Sequence, residues 1–253
     1  MDNGGAFTDR LLNGAGIMPG QTALDIGCGK GDVTFRLAAR VGPLGRVTGI
    51  DLDGAALDAA RTRAEREGVE NVVFRRADLL DLPPASGADG YDAVVCRRVL
   101  MYLRDPVRAV RAMHAVLRPG GRLVLQEHDA GTVADAGSLP LNETAHRLIW
   151  DTVRAEGADT AIGLKLHAIL SGAGFADIGI MAEAVVQTAD QSSPTAMIVQ
   201  AMADRIVAAG TATRAELDAL DPATLHDRLA AERRAAGASV VAETIFGALA
   251  RKT

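Results

Sequence analysis

Short apolar runs alternate along the first half of the chain with segments whose apolar residues recur every three or four positions. Thr22–Ile26 is an apolar run that stops at glycine, which predicts a buried strand. Asp32–Val41 follows, with Val33, Leu37 and Val41 on one helical face and Asp32 in its first turn. Arg46–Ile50 predicts a second strand. Asp53–Glu67 predicts a helix with Asp53 suited to the N-cap and Gly68 to the stop. Asn71–Arg76 and Tyr91–Cys96 are the third and fourth strands. Pro106–Leu117 is a helix with proline in its first turn. Pro119-Gly120-Gly121 is read as a turn and Arg122–His128 as the fifth strand. Strand–helix repetition of this kind requires right-handed crossovers, hence a parallel sheet covered by helices on both faces.

The second half is less regular. Leu141–Ala155 and Gly163–Ala173 have helical patterns, and Ile178–Val186 and Ala238–Leu249 read as strands. Between those strands, residues 190–237 carry apolar residues at helical spacing, among them Ile198, Met202, Ile206, Leu225 and Leu229. An insertion of that length serves as a lid, as a dimer element or as extra packing helices.

In parallel sheets of this kind ligands sit beyond the carboxyl ends of the strands. The stretch there is "LDIGCGKGDV", residues 24–33. Three glycines directly after a strand cost conformational entropy, so the backbone needs positive φ or a close approach. Gly27, Gly29 and Gly31 have G-x-G-x-G spacing, and Asp32 occupies the third-glycine place of the dinucleotide fingerprint. Carboxylates at positions 25 and 32 suit a neutral or cationic adenosine ligand better than a pyrophosphate. This argues against the first rival, a dinucleotide-dependent oxidoreductase.

Charge and composition narrow the picture further. The net charge is −5, and the arginine pairs have carboxylates nearby and no interleaved aromatics, which excludes a polynucleotide track. Two cysteines form no disulfide framework and point to a reducing compartment. The N-terminus lacks a leader pattern and no run is long enough for a membrane span, so the expectation is a soluble cytoplasmic protein.

Five pieces in register, "ALDIGCGKG", "VTGIDLD", "RRADLLDLP", "YDAVVCRRVLMYLRDP" and "LRPGGRLVLQEHD", cover about the first half. On these the chain resembles the class I S-adenosylmethionine-dependent methyltransferases. The resemblance implies a Rossmann-like, doubly wound α/β fold. Its seven-stranded sheet would be mostly parallel with the last strand antiparallel, plus a helical lid insertion. The whole of 1–253 would form one methyltransferase domain, with a cofactor core at 1–130 and lid segments at 131–165 and 190–237. The implied cofactor is S-adenosylmethionine, leaving as S-adenosylhomocysteine.

Residue by residue, the resemblance places Gly27, Gly29 and Gly31 along the cofactor, with Cys28 between them valued for small size. Asp25 would set the loop's electrostatics, Asp51 would accept from both ribose hydroxyls, and Leu52 would pack on adenine. Asp78 would take the adenine amino group, with Leu79 alongside. Cys96 and Arg97 would lie at the methionine portion, Arg97 having a structural ion pair as its alternative. Candidate bases are Glu127, His128 and Asp129, expected just after the fifth strand. His128 is favoured because imidazole titrates near neutrality, against the alternative of a hydrogen-bonded structural histidine. Tyr102 and His146 are candidates for the acceptor pocket, whereas His114 and His167 read as structural. No metal is expected. The implied acceptor is a small molecule of quinone or secondary-metabolite type, and a homodimer is left open. A protein of the same fold that binds the cofactor without methylating, such as a cyclase, isomerase or regulatory module, is the alternative; a structural partner subunit is a third reading.

Overall fold

The computed structural model describes residues 3–85, 90–129, 134–135, 139–191 and 193–253. In chain order the elements are α1 (Asn3–Gly14), β1 (Thr22–Ile26), α2 (Asp32–Val41), β2 (Arg46–Asp51), α3 (Gly54–Glu67), β3 (Val72–Arg76), β4 (Tyr91–Arg97), α4 (Pro106–Val116) and β5 (Leu117–Asp129). They continue with β6 (Ala134–Asp135), α5 (Pro140–Ala155), α6 (Leu166–Gly172), β7 (Ala176–Gln187), α7 (Thr195–Ala201), α8 (Ala203–Ala208), α9 (Arg214–Ala219), α10 (Pro222–Ala236) and β8 (Val240–Arg251). Among the described residues no helix is long and apolar enough to cross a membrane.

The sheet runs β3-β2-β1-β4-β5-β8, with β7 and the two-residue β6 both paired to β8. Strands β1 to β5 are mutually parallel. The last strand runs antiparallel, as its end shows: Gly120 N–H donates to the Lys252 carbonyl at 2.8 Å, and Lys252 N–H to Gly121 at 3.0 Å. The expected Rossmann-like architecture is present. Pro119-Gly120-Gly121 is not a separate turn but lies inside β5, because the chain's C-terminal end pairs with it.

Two compact units divide the chain: Asp2–Glu127 with Ile162–Ala182 and Phe246–Thr253, and a smaller one of His128–Ala161 with Glu183–Ile245. In the larger unit, helix starts follow local chemistry. Asp53 caps α3 by accepting from Ala55 and Ala56 N–H at 2.9 and 3.2 Å, and Gly68 ends it at φ 66°. Asp105 caps α4 through Arg108 N–H. Helix α1, not anticipated from the sequence, buries Phe7, Leu11 and Leu12. Its Thr8 hydroxyl donates to Gln126 Oε1 at 2.7 Å. Register aligns the strand ends: Ile26 pairs with Ile50 and with Cys96. The glycine loop, Asp51 and Arg97 therefore emerge along one edge.

In the smaller unit, β6 pairs antiparallel with the start of β8, Ala134 with Val241 and Asp135 with Val240. Four helices, α7 to α10, fill the segment that the sequence marked as inserted. Leu225 and Leu229 are fully buried, as their spacing requires.

Candidate functional site

The glycine loop is built from backbone demands. Gly27 and Cys28 N–H both donate to Ile50 carbonyl at 2.9 Å, turning the chain sharply off β1. Gly27, Gly29 and Gly31 all have positive φ, at 69°, 52° and 90°. A Cβ on Gly27 would lie 2.3 Å from Val99 Cγ2, whereas a Cβ on Gly29 would meet nothing within 4 Å. The two positions therefore differ. Gly27→Ala is expected to destabilise the fold by about 2–4 kcal/mol, from overpacking plus left-handed strain. Gly29→Ala should cost only about 1–2 kcal/mol. Urea midpoints of both variants check this, and equal losses would refute the steric part.

Asp51, at the end of β2, joins this loop. Its Oδ2 accepts from Gly29 N–H at 2.8 Å and its Oδ1 from Asp53 N–H at 2.9 Å. Beside it opens a cleft of about 590 Å³ in the larger unit. Gly27, Asp51, Leu52, Asp78, Leu79 and Tyr102 line it, together with Leu80, Arg98, Val99 and Arg108. Leu52, Leu80 and Tyr102 stand 60, 51 and 53% exposed there. Large apolar side chains converging on one concavity suit a flat, partly apolar ligand. Asp78 Oδ1 accepts from Leu80 N–H at 2.8 Å, which shapes the turn after β3. Carboxylate, apolar rim and an open backbone cradle at Gly29 fit an adenosine with its ribose.

The other residues named for the cofactor stand behind the cleft or beside it. Asp25 is fully buried, with its Oδ2 accepting from Thr34 Oγ1 at 2.6 Å. Burial pushes its carboxyl up to about 7, opposed by the Thr34 hydroxyl and the Arg97 charge. Asp25 thus ties β1 to the first turn of α2, with Arg97 close enough to act on it electrostatically. Gly31 and Cys28 pack inward; a Cβ on Gly31 would press on Phe35 at 2.7 Å. Cys28 and Cys96 are buried, and burial raises both thiols, so neither serves as a nucleophile.

Of the candidate bases, Glu127 and His128 lie inside β5, within the expected strand Arg122–His128, and Asp129 extends that strand by one residue instead of following it; all three are buried. Glu127 Oε1 accepts from Val99 and Leu100 N–H at 3.1 and 2.8 Å. Burial lifts its carboxyl to about 7. His128 belongs to the smaller unit, where its Nδ1 lies 2.6 Å from Glu243 Oε2. Spacing gave no hint of this partner, 115 residues away. The available signal was a lone acid inside the apolar β8.

His146 is also in the smaller unit, with Nε2 3.3 Å from Thr195 Oγ1. Burial and the Arg233 charge push its ring down to about 4, Glu243 opposing. A ring held neutral in this way is a weak base. Arg233, buried on α10, donates to Asn142 Oδ1 at 2.6 Å. His114 stacks edge-on against Phe175, consistent with a packing role. Among the described residues no three histidine, cysteine or acidic side chains group as metal ligands.

Residues 17–167, more than half of the chain, match a family described as a methyltransferase domain. The chain belongs to the class I S-adenosylmethionine-dependent methyltransferases. The family's dependence on that cofactor agrees with the cleft's chemistry. Among its relatives is an uncharacterized 37.1 kDa protein in transposon Tn4556 of Streptomyces fradiae, 32% identical over 81% of this chain and 58% of that protein. Another is the 2-phytyl-1,4-naphthoquinone methyltransferase of Nostoc sp., 35% identical over 47% of this chain and 52% of that protein. The chain thus spans little more than half the length of these curated relatives. The Bacillus subtilis YcgJ protein, 20% identical, has the same fold at a TM-score of 0.61, covering 97% of this chain and 98% of that one.

Proposed function

We propose that the chain transfers a methyl group from S-adenosylmethionine to a small-molecule acceptor of quinone or secondary-metabolite type, by in-line displacement. The observation that carries this reading is the cleft, where Gly27 and Asp51, itself tied to Gly29 N–H, meet the apolar rim of Leu52, Leu80 and Tyr102. A relative named for naphthoquinone methylation supports the acceptor class. The net charge of −5 favours a small molecule over a nucleic acid. When bound, the cofactor supplies an electrophilic methyl group on a sulfonium.

The protein's tasks are then orientation and proton removal. Asp51 accepts from the ribose hydroxyls, Leu52 and Leu79 flank the adenine, and Asp78 takes its amino group. Gly27 and Gly29 give the backbone its close approach, Gly31 leaves room for Phe35 behind the loop, and Cys96 and Arg97 border the methionine portion. Asp25 keeps the loop in place from below. His128 acts as base for a hydroxyl acceptor, with Glu243 Oε2 against its Nδ1 to orient the ring. Tyr102 offers a hydroxyl at the cleft.

The direct test is calorimetric titration with S-adenosylmethionine and S-adenosylhomocysteine, then transfer of a labelled methyl group to reduced naphthoquinones. Binding of both with no transfer to any acceptor would favour a binding protein of the same fold. Binding of NADH instead would overturn the reading. His128→Ala and Glu243→Ala are each expected to lower kcat by about 10²–10⁴-fold with cofactor affinity nearly unchanged. Full turnover by His128→Ala removes it as the base.

A further inference from the structure

β4 and β5 end side by side, with Arg97 opposite Gln126. The chain then leaves β4 through Arg98, whose φ of 60° is a left-handed conformation that its surroundings must hold. Part of the hold is a backbone bond, Arg98 N–H to the Gln126 carbonyl at 2.8 Å. Another part comes from a side chain. The next two N–H groups, of Val99 and Leu100, both donate to Glu127 Oε1 at 3.1 and 2.8 Å. They open the short 3₁₀ turn Leu100–Tyr102.

Glu127 is wholly buried and is not part of the cleft's lining. What it holds does reach the lining: Val99 and Tyr102 both face the cleft. Val99 also fills the space that a side chain on Gly27 would need. The glycine loop thus packs against a turn held by the Glu127 carboxylate, whose Oε1 takes both N–H groups while Oε2 is buried.

We propose that Glu127 is a positioning residue: by holding the Arg98–Tyr102 turn against the glycine loop, it sets the shape of the adenosine cleft. This rests on the reading that the cleft takes S-adenosylmethionine. Reach matters more than charge in this arrangement. Glutamine keeps an acceptor oxygen at the same distance from β5, whereas aspartate keeps the charge one methylene short of the two N–H groups.

The test uses the full chain as wild type, Glu127→Gln and Glu127→Asp. Affinity for S-adenosylhomocysteine is measured by calorimetry, and amide hydrogen exchange of Val99 and Leu100 is followed without ligand. Wild type and the Gln variant are expected to bind within about threefold of each other, with both amides protected. The Asp variant should bind at least about tenfold more weakly and exchange both amides at least about tenfold faster, with β1 amides unchanged. Wild-type affinity in the Asp variant, unchanged Leu100 exchange, or equal losses in both variants would each overturn the proposal. If wild type itself binds no S-adenosylhomocysteine, the cofactor reading falls, and this proposal with it.

Discussion

Asp51→Ala is expected to weaken S-adenosylmethionine binding by about two to four powers of ten. Two hydrogen bonds to a carboxylate are worth about 1.5–3 kcal/mol each, so losing both costs about 3–6 kcal/mol. The variant loses a second contribution as well. Asp51 accepts from Gly29 and Asp53 N–H, which ties the glycine loop to the end of β2. Alanine frees both N–H groups and lets the loop drift from the geometry that a bound ribose needs. Asp51→Asn keeps one acceptor oxygen and should fall between wild type and alanine. Calorimetry on the folded variants decides the matter, and wild-type affinity in Asp51→Ala would refute the placement of the cofactor.

The second large effect is on stability and its dependence on pH. Asp25 is fully buried and its carboxyl is raised from 3.8 to about 7, so the folded state holds a proton that the unfolded chain releases near pH 4. Its stabilising contribution is therefore complete below pH 3.8 and is lost as pH rises through 7. Asparagine keeps an acceptor for Thr34 and has no proton to lose. Relative to wild type, Asp25→Asn should gain roughly 4 kcal/mol between pH 4 and pH 8. Glu127, raised to about 7, has the same sign. His146, lowered to about 4, has the opposite one: its contribution is present above 6.5 and lost as pH falls through 4. Both groups remain in both proteins and cancel in the difference. Urea unfolding at pH 4, 6 and 8 measures it, and a difference independent of pH would reject the buried proton.

Three acids outside the cleft tie distant elements together. Asp25 holds α2 through Thr34, Glu127 holds the turn after β4, and Glu243 holds His128. Asp25 and Glu127 are buried and Glu243 half-buried, each bonded to a group on another element, and at the two buried acids a lost bond leaves a polar group stranded. Substitution at any of them is expected to act through geometry as well as charge.

The parts of this protein that could be read from the sequence are those encoded within a few residues. Apolar spacing placed β1 to β4 and α2 to α4 almost to the residue. Asp53 and Gly68 marked the ends of α3 through bonds spanning two to four positions. Three glycines announced a loop of positive φ, and Asp51 and Asp78 fell at strand ends on the same edge because parallel strands deliver them there. What the sequence could not settle were pairings between distant positions: Thr8 with Gln126, Arg233 with Asn142, His128 with Glu243. The C-terminal end of the chain likewise turned an apparent Pro-Gly-Gly turn into strand, by hydrogen bonds more than 130 positions away. Local order follows from steric and hydrogen-bonding preferences that each short segment carries by itself. The partners of buried polar groups depend instead on which elements the fold brings together, and that was decided only by the tertiary structure.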